Sequence, residues 1–197
     1  MNTVRTARLA TPAVASDRRD RYSFRPWYKW LLTALAFPPS GLIAHLVAGR
    51  VDSVPAAVLN GVIAGTGIGA AQWALLRHRG VSPIWIAATA AGLGAGLAVG
   101  AALVSYDTDI TSLAVMGAVS GLGVGFAQGA TLGNAKLTLG WSAVNTVLWA
   151  LGWTVTTAGG ISVDEQFVVF GAYGAITSTF LQSIIIGSFI PARAVKS

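Results

Sequence analysis

The chain has 197 residues, 54% hydrophobic and only 10% charged, with 24 glycines, 7 tryptophans and no cysteine. Soluble domains average about 25% charged residues, so a chain with a mean hydropathy of +0.65 cannot clothe a water-facing surface and points to a polytopic membrane protein. Disorder and a disulfide framework are excluded, and the net charge of +6 needs a reading other than nucleic acid.

Residues 1–25 form a basic tail, with Arg5, Arg8, Arg18, Arg19, Arg21 and Arg25 against Asp17 and Asp20. Its opening stretch shares its arginines and lack of acids with organellar transit peptides, although short basic tails are commoner. From Pro26 the polarity collapses. Six apolar spans follow, about 27–48, 55–76, 83–104, 110–133, 138–159 and 167–190, each near the ~20 residues a helix needs to cross a bilayer. Short connections between them predict antiparallel hairpins. The first span is long for the apolar core of a cleaved signal.

Every basic residue except Arg50 falls in the tail, at Lys29, or in the connections at Arg77, Arg79, Lys136, Arg193 and Lys196. Arg50 shares the other side with Asp52, Asp107, Asp109, Asp164 and Glu165. Basic residues in short loops are retained in the cytoplasm, so both termini are expected there, in a cell (inner) membrane.

The first span contains Phe37-Pro38-Pro39-Ser40-Gly41. Two prolines remove two amide donors, and each steers its predecessor away from the α region, so a kink or break is expected at Pro38 and Pro39. Freed carbonyls at mid-membrane must be buried in protein or face water, which makes Ser40 a lumen candidate. His45, further along, is either a hydrogen-bonded helix residue or a pH-sensitive group near the outer mouth.

The second span reads NGVIAGTGIGAAQWALL from Asn60, and the fourth reads MGAVSGLGVGFAQGATL from Met116. Superposed, they match at Gly61/Gly117, Gly65/Gly121, Gly67/Gly123, Gly69/Gly125 and Gln72/Gln128. The sixth repeats the pattern weakly, with Gly171, Ala175, Thr179 and Gln182. Among the odd spans, Trp85 and Thr89 align with Trp141 and Asn145, and Trp30 with Thr33 is the divergent copy. The unit is a hairpin of ~55 residues used three times, about 27–76, 83–133 and 138–190, in parallel repeats. The expected fold is all-α: a six-helix membrane domain over 26–190 with a cytoplasmic end at 191–197.

A Gly-rich helix closing in Gln72-Trp73-x-x-Leu76-Arg77, a basic loop, then Trp85-x-x-x-Thr89 resembles the repeat unit of small uncharacterised bacterial multipass membrane proteins. The second copy, from Gln128 through Gly152, is similar but has Gly129 in place of Trp73. The resemblance covers about residues 60–152. It implies a bacterial membrane protein and brings no activity.

Gly61, Gly65 and Gly69 share a helical stripe with Gln72, as Gly117, Gly121 and Gly125 do with Gln128. Small residues at this spacing let membrane helices approach closely, and a glutamine there aims at a neighbouring helix. The three glutamines therefore either clip the hairpins together or, with Asn145, Thr89 and His45, face a lumen and bind an uncharged solute. Gly67, Gly94 and Gly123 lie off the stripes, which means second close neighbours or exposed backbone.

No Asp, Glu, Lys or Arg lies in a span apart from interfacial Lys29. That argues against proton-coupled pumps, ion-pair gates and voltage sensors. His45 and His78 fall on opposite sides, so no metal site is expected. Ser120 has no supporting base motif for nucleophilic catalysis, and no P-loop lysine follows the glycines. Neither an enzyme nor a cofactor is expected. The carrier signature Pro-x-acid-x-x-base is missing, and acid-gated urea and amide channels share only the six-helix plan.

The leading expectation is a passive channel or facilitator for a small uncharged polar solute. The alternative is a non-transporting subunit that packs through its glycine faces on copies of itself or on a membrane partner, its tail touching anionic lipid.

Overall fold

In the computed structural model, which describes residues 27–161 and 168–190, proline, glycine and capping side chains set the helix boundaries. Helix α1 (Trp27–Leu31) runs through a 3-10 segment (Leu32–Ala36) into α2 (Phe37–Ala48). Helices α3 (Val54–Leu76), α4 (Ile84–Leu103), α5 (Ile110–Ala130), α6 (Ala135–Ala158) and α7 (Ala172–Phe189) follow. No strand occurs among the described residues. Asp109 and Asn134 cap α5 and α6, each accepting two amide N–H groups of the first turn, which would otherwise lack partners. The basic tail, Asp164, Glu165, Arg193 and Lys196 lie outside the described residues.

The double proline does not break the chain where expected. Phe37 is itself α-helical at φ −65° and ψ −56°, although a proline follows it, so that expectation is corrected. The chain winds as a tighter 3-10 turn over Leu32–Ala36, and Pro38 and Pro39 fall in the first turn of α2. A missing amide costs little there, because first-turn N–H groups have no intrahelical acceptor.

Five segments are long and apolar enough to cross a membrane: Lys29–Ala48, Val54–Arg79, Ile84–Leu103, Ile110–Ala130 and Ala172–Phe189. Their outward side chains are apolar, with Leu35, Leu46 and Ile184 well exposed. Large apolar side chains facing outward over whole helices identify an integral membrane protein. The expected sixth span is matched in length by α6, with 24 residues, but α6 falls short in hydropathy. Its Thr138, Ser142, Asn145, Thr154, Thr156 and Thr157 account for the difference. The last helix also begins later than the apolar run at 167 implies, at Ala172.

The helices form a ring. Among the described residues each helix packs on its neighbours in sequence and α7 closes on the α1–α2 rod, while non-neighbouring helices meet through side chains, as at Gln128–Gln72 and Phe37–Trp149. The contacts depend on glycine. A Cβ on Gly61 would lie 2.6 Å from the Gly94 Cα, and one on Gly65 2.7 Å from the Ala90 Cα, both on α4. Gly69 faces Thr89 and Ile86 of α4, while Gly117, Gly121 and Gly125 meet the α6 backbone. The off-stripe glycines serve second neighbours: Gly67 meets Ser40, Gly94 meets Val62, and Gly123 meets Gly92 and Gly96. Close approach without side chains is how helices associate in lipid, where the hydrophobic effect gives no drive.

Candidate functional site

Three glutamines and three tryptophans meet inside the ring at the end that carries Arg77, Arg79 and Lys136. Gln72 and Gln128 lie in the last two turns of α3 and α5, so they sit near the helix ends and not at mid-span. Trp85 and Trp141 lie in the first two turns of α4 and α6. The Trp85 indole donates to Gln72 Oε1 at 3.1 Å, the Trp141 indole to Gln128 Oε1 at 2.8 Å, and the Trp30 indole to Gln182 Oε1 at 3.1 Å. The first two bonds join the Gly-rich α3 and α5 to the next helix round the ring, and the last joins α7 to α1.

The amide N–H groups complete the network. Gln128 Nε2 donates to Gln72 Oε1 at 2.8 Å and to Thr89 Oγ1 at 2.9 Å. Gln182 Nε2 donates to Asn145 Oδ1 at 2.9 Å. One turn beyond each tryptophan a polar side chain returns a bond to that tryptophan's carbonyl, through Thr33 Oγ1, Thr89 Oγ1 and Asn145 Nδ2. Gln72, Gln128, Gln182, Thr89 and Asn145 are all buried. Polar groups this buried require partners, and here they supply one another. The Trp85 and Trp141 rings lie 6.5 Å apart, and Phe189 packs 5.2 Å from Trp141.

Of the residues expected from the sequence, the structure brings Gln72, Gln128, Gln182, Thr89 and Asn145 together. It leaves out Ser40, which is buried against Gly67. His45 also stands apart, partly buried in the last turn of α2, about 18 Å along the rod from Thr33 at ~1.5 Å per residue. The tryptophans were missed as glutamine partners. Their signal was present, because Gln72 and Trp85 are separated by the same 13 positions as Gln128 and Trp141.

Toward the other end the centre is aromatic. Phe170 stacks on Phe37 at 5.2 Å and meets Trp149 edge-on at 5.2 Å and Trp153 at 6.1 Å. Phe170 precedes α7, which starts about two turns later relative to its glutamine than α3 and α5 do. Non-helical Val168, Val169 and Phe170 fill that place and are buried. A groove of about 390 Å³, lined by Val54, Ala98, Val99, Ala102 and Leu103, lies away from both centres on α3 and α4.

The described charges divide by end: Lys29, Arg77, Arg79 and Lys136 at the glutamine end, and Arg50, Asp52, Asp107 and Asp109 at the other. Asp109 titrates below the ordinary carboxylate value. The Ser112 hydroxyl, then the Ser112 and Thr111 amides, donate to its charged form. No group of three or more potential metal ligands occurs among the described residues. No protein-family model, no curated protein and no solved structure matches the chain.

Proposed function

We propose that the chain is a non-enzymatic membrane assembly subunit whose six spans, with both termini cytoplasmic, form a closed ring of three repeated units. The observation that carries this reading is the self-sufficiency of the tier. All three glutamine carbonyls accept indole N–H groups, and the amides of Gln128 and Gln182 are spent on Gln72, Thr89 and Asn145. A solute would have to displace these bonds, and the aromatic cluster fills the axis beyond them. With the centre locked, the working surface is the outer one, facing lipid, further copies of the chain or a membrane partner.

The sixth span is supported by where α6 places its polarity. Ser142, Thr146, Thr154 and Thr157 donate back to carbonyls of their own helix, while Leu139 and Val147 face outward. The three Trp–Gln bonds support the repeat, with the third unit assembled from α7 and α1. The division of charge supports cytoplasmic termini.

The second reading, a facilitator for a small uncharged solute, draws on one feature: no helix runs down the centre of the ring. Flux of water, urea, glycerol and simple amides into proteoliposomes separates the two. We expect no flux above protein-free vesicles, whereas flux that Gln128→Leu removes would overturn the assembly reading. A tag at Asp107–Asp109 is expected on the outside and one at the C-terminus on the inside.

A further inference from the structure

We propose that the connection between α3 and α4 is a binding site for the headgroup of an anionic phospholipid, an inference that rests on the membrane reading. Trp73, partly buried in the last turn of α3, donates its indole N–H to the Val81 carbonyl at 3.1 Å. That bond ties the two ends of the turn Arg77–Gly80 together. Gly80, at φ +80°, lets the chain reverse in the left-handed region that favours glycine. The Arg77 guanidinium carbon lies 5.9 Å from the centre of the Trp73 ring, and Arg77 and His78 are exposed. Arg79 reaches across the bundle and donates to the Ile190 carbonyl, just past α7, at 2.9 Å. The turn is therefore anchored at both sides, and its exposed cation is held on an aromatic face.

Two comparisons within the chain favour a ligand over a merely solvated loop. The corresponding connection between α5 and α6 has Gly129 in place of Trp73 and Gly133 in place of Arg77, so the aromatic–cation pair is particular to this turn. Every charged residue described at this end is a cation, and Asp52, Asp107 and Asp109 lie at the opposite end. A half-buried tryptophan at a helix end belongs at headgroup depth. An arginine beside it presents a planar fork to phosphate, and a leaflet of anionic lipid concentrates that phosphate. The ligand is thus a lipid phosphodiester and not a free anion, because only the lipid places its phosphate at the depth of Trp73.

The test is lipid retention by native mass spectrometry of the full chain, released from bilayers of phosphatidylcholine alone or mixed with phosphatidylglycerol. The wild type is expected to retain phosphatidylglycerol in preference. Arg77→Gln should lower that retention about fivefold, Arg77→Lys should lower it less, and Arg50→Gln, at the far end, should leave it unchanged. The proposal is overturned if Arg77→Gln retains phosphatidylglycerol like the wild type. It is equally overturned if Arg50→Gln loses as much, or if inorganic phosphate displaces the lipid at matched concentration. Flotation with neutral vesicles keeps the two proposals apart. A chain that floats but shows no headgroup preference defeats only this one, and a chain that does not float defeats the membrane reading as well.

Discussion

The two halves of the ring's interior are filled by different physics. At the basic end the centre is a tier of directional bonds, in which Trp30, Trp85 and Trp141 each donate to a glutamine. At the other end it is shape, with Phe37, Trp149, Trp153 and Phe170 in ring contact and making no bond to the tier. In the tier each of the three indoles has its own glutamine acceptor, which on the proposed repeat is one bond per unit. The aromatic half differs, since Phe170 lies in a non-helical stretch, Val168–Phe170, just ahead of α7. On the proposed repeat, directional bonding holds each unit to the same contact, whereas volume filling lets one unit depart.

The glycine seams underlie both halves, so breaking one should produce the largest effect. Gly121→Leu would drive a side chain into the Asn145 carbonyl of α6, a backbone atom that cannot turn aside. We expect loss of folded protein in detergent, measured by size-exclusion chromatography. Gly187→Ala meets nothing within 4 Å and should leave folding intact. If both behave alike, close helix approach is not what holds the ring.

Next in size is the aromatic half. Phe170→Ala empties the space between Phe37, Trp149 and Trp153 and should cost about 3–5 kcal/mol in unfolding by mixed micelles, while Phe170→Leu should cost much less. A polar tier responds differently. Gln128→Leu leaves the Trp141 indole N–H without its acceptor and should cost about 1–3 kcal/mol. Trp141→Phe in the same chain removes that orphaned donor, so the double variant should lose less than the sum of the two single ones. Additive losses would mean that the tier, like the aromatic half, is held by shape alone.

The smallest effect is expected at Asp109, outside both halves. Its carboxyl is held below the ordinary value by the Ser112 and Thr111 donors. The charged cap therefore stabilises the fold above the unfolded value of 3.8, and that stabilisation is lost as pH falls through the lower folded value. An unfolding titration should show an acid-side loss in the wild type that is absent in Asp109→Asn. The same loss in both would place the titrating group elsewhere.

The all-helical architecture, the glycine contact stripes and five polar side chains of the tier are legible in the sequence. Those features follow from apolar length, from helical periodicity and from glycine spacing, all of which are local or repeat along the chain. The sequence places the interruption at Pro38 and Pro39, whereas the α-helix gives way just ahead of them, over the 3-10 turn Leu32–Ala36, and both prolines begin α2. The sequence extends the candidate site to Ser40 and His45, because residue spacing sets depth along a helix axis but not which side chains from other helices meet at that depth. Three-dimensional packing sets which tryptophan each glutamine takes, the pairing of Gln182 with Trp30, and the filling of the far end by Phe170. The Gln182–Trp30 bond joins groups 152 positions apart, and no local pattern encodes which ends of a chain meet when a ring closes.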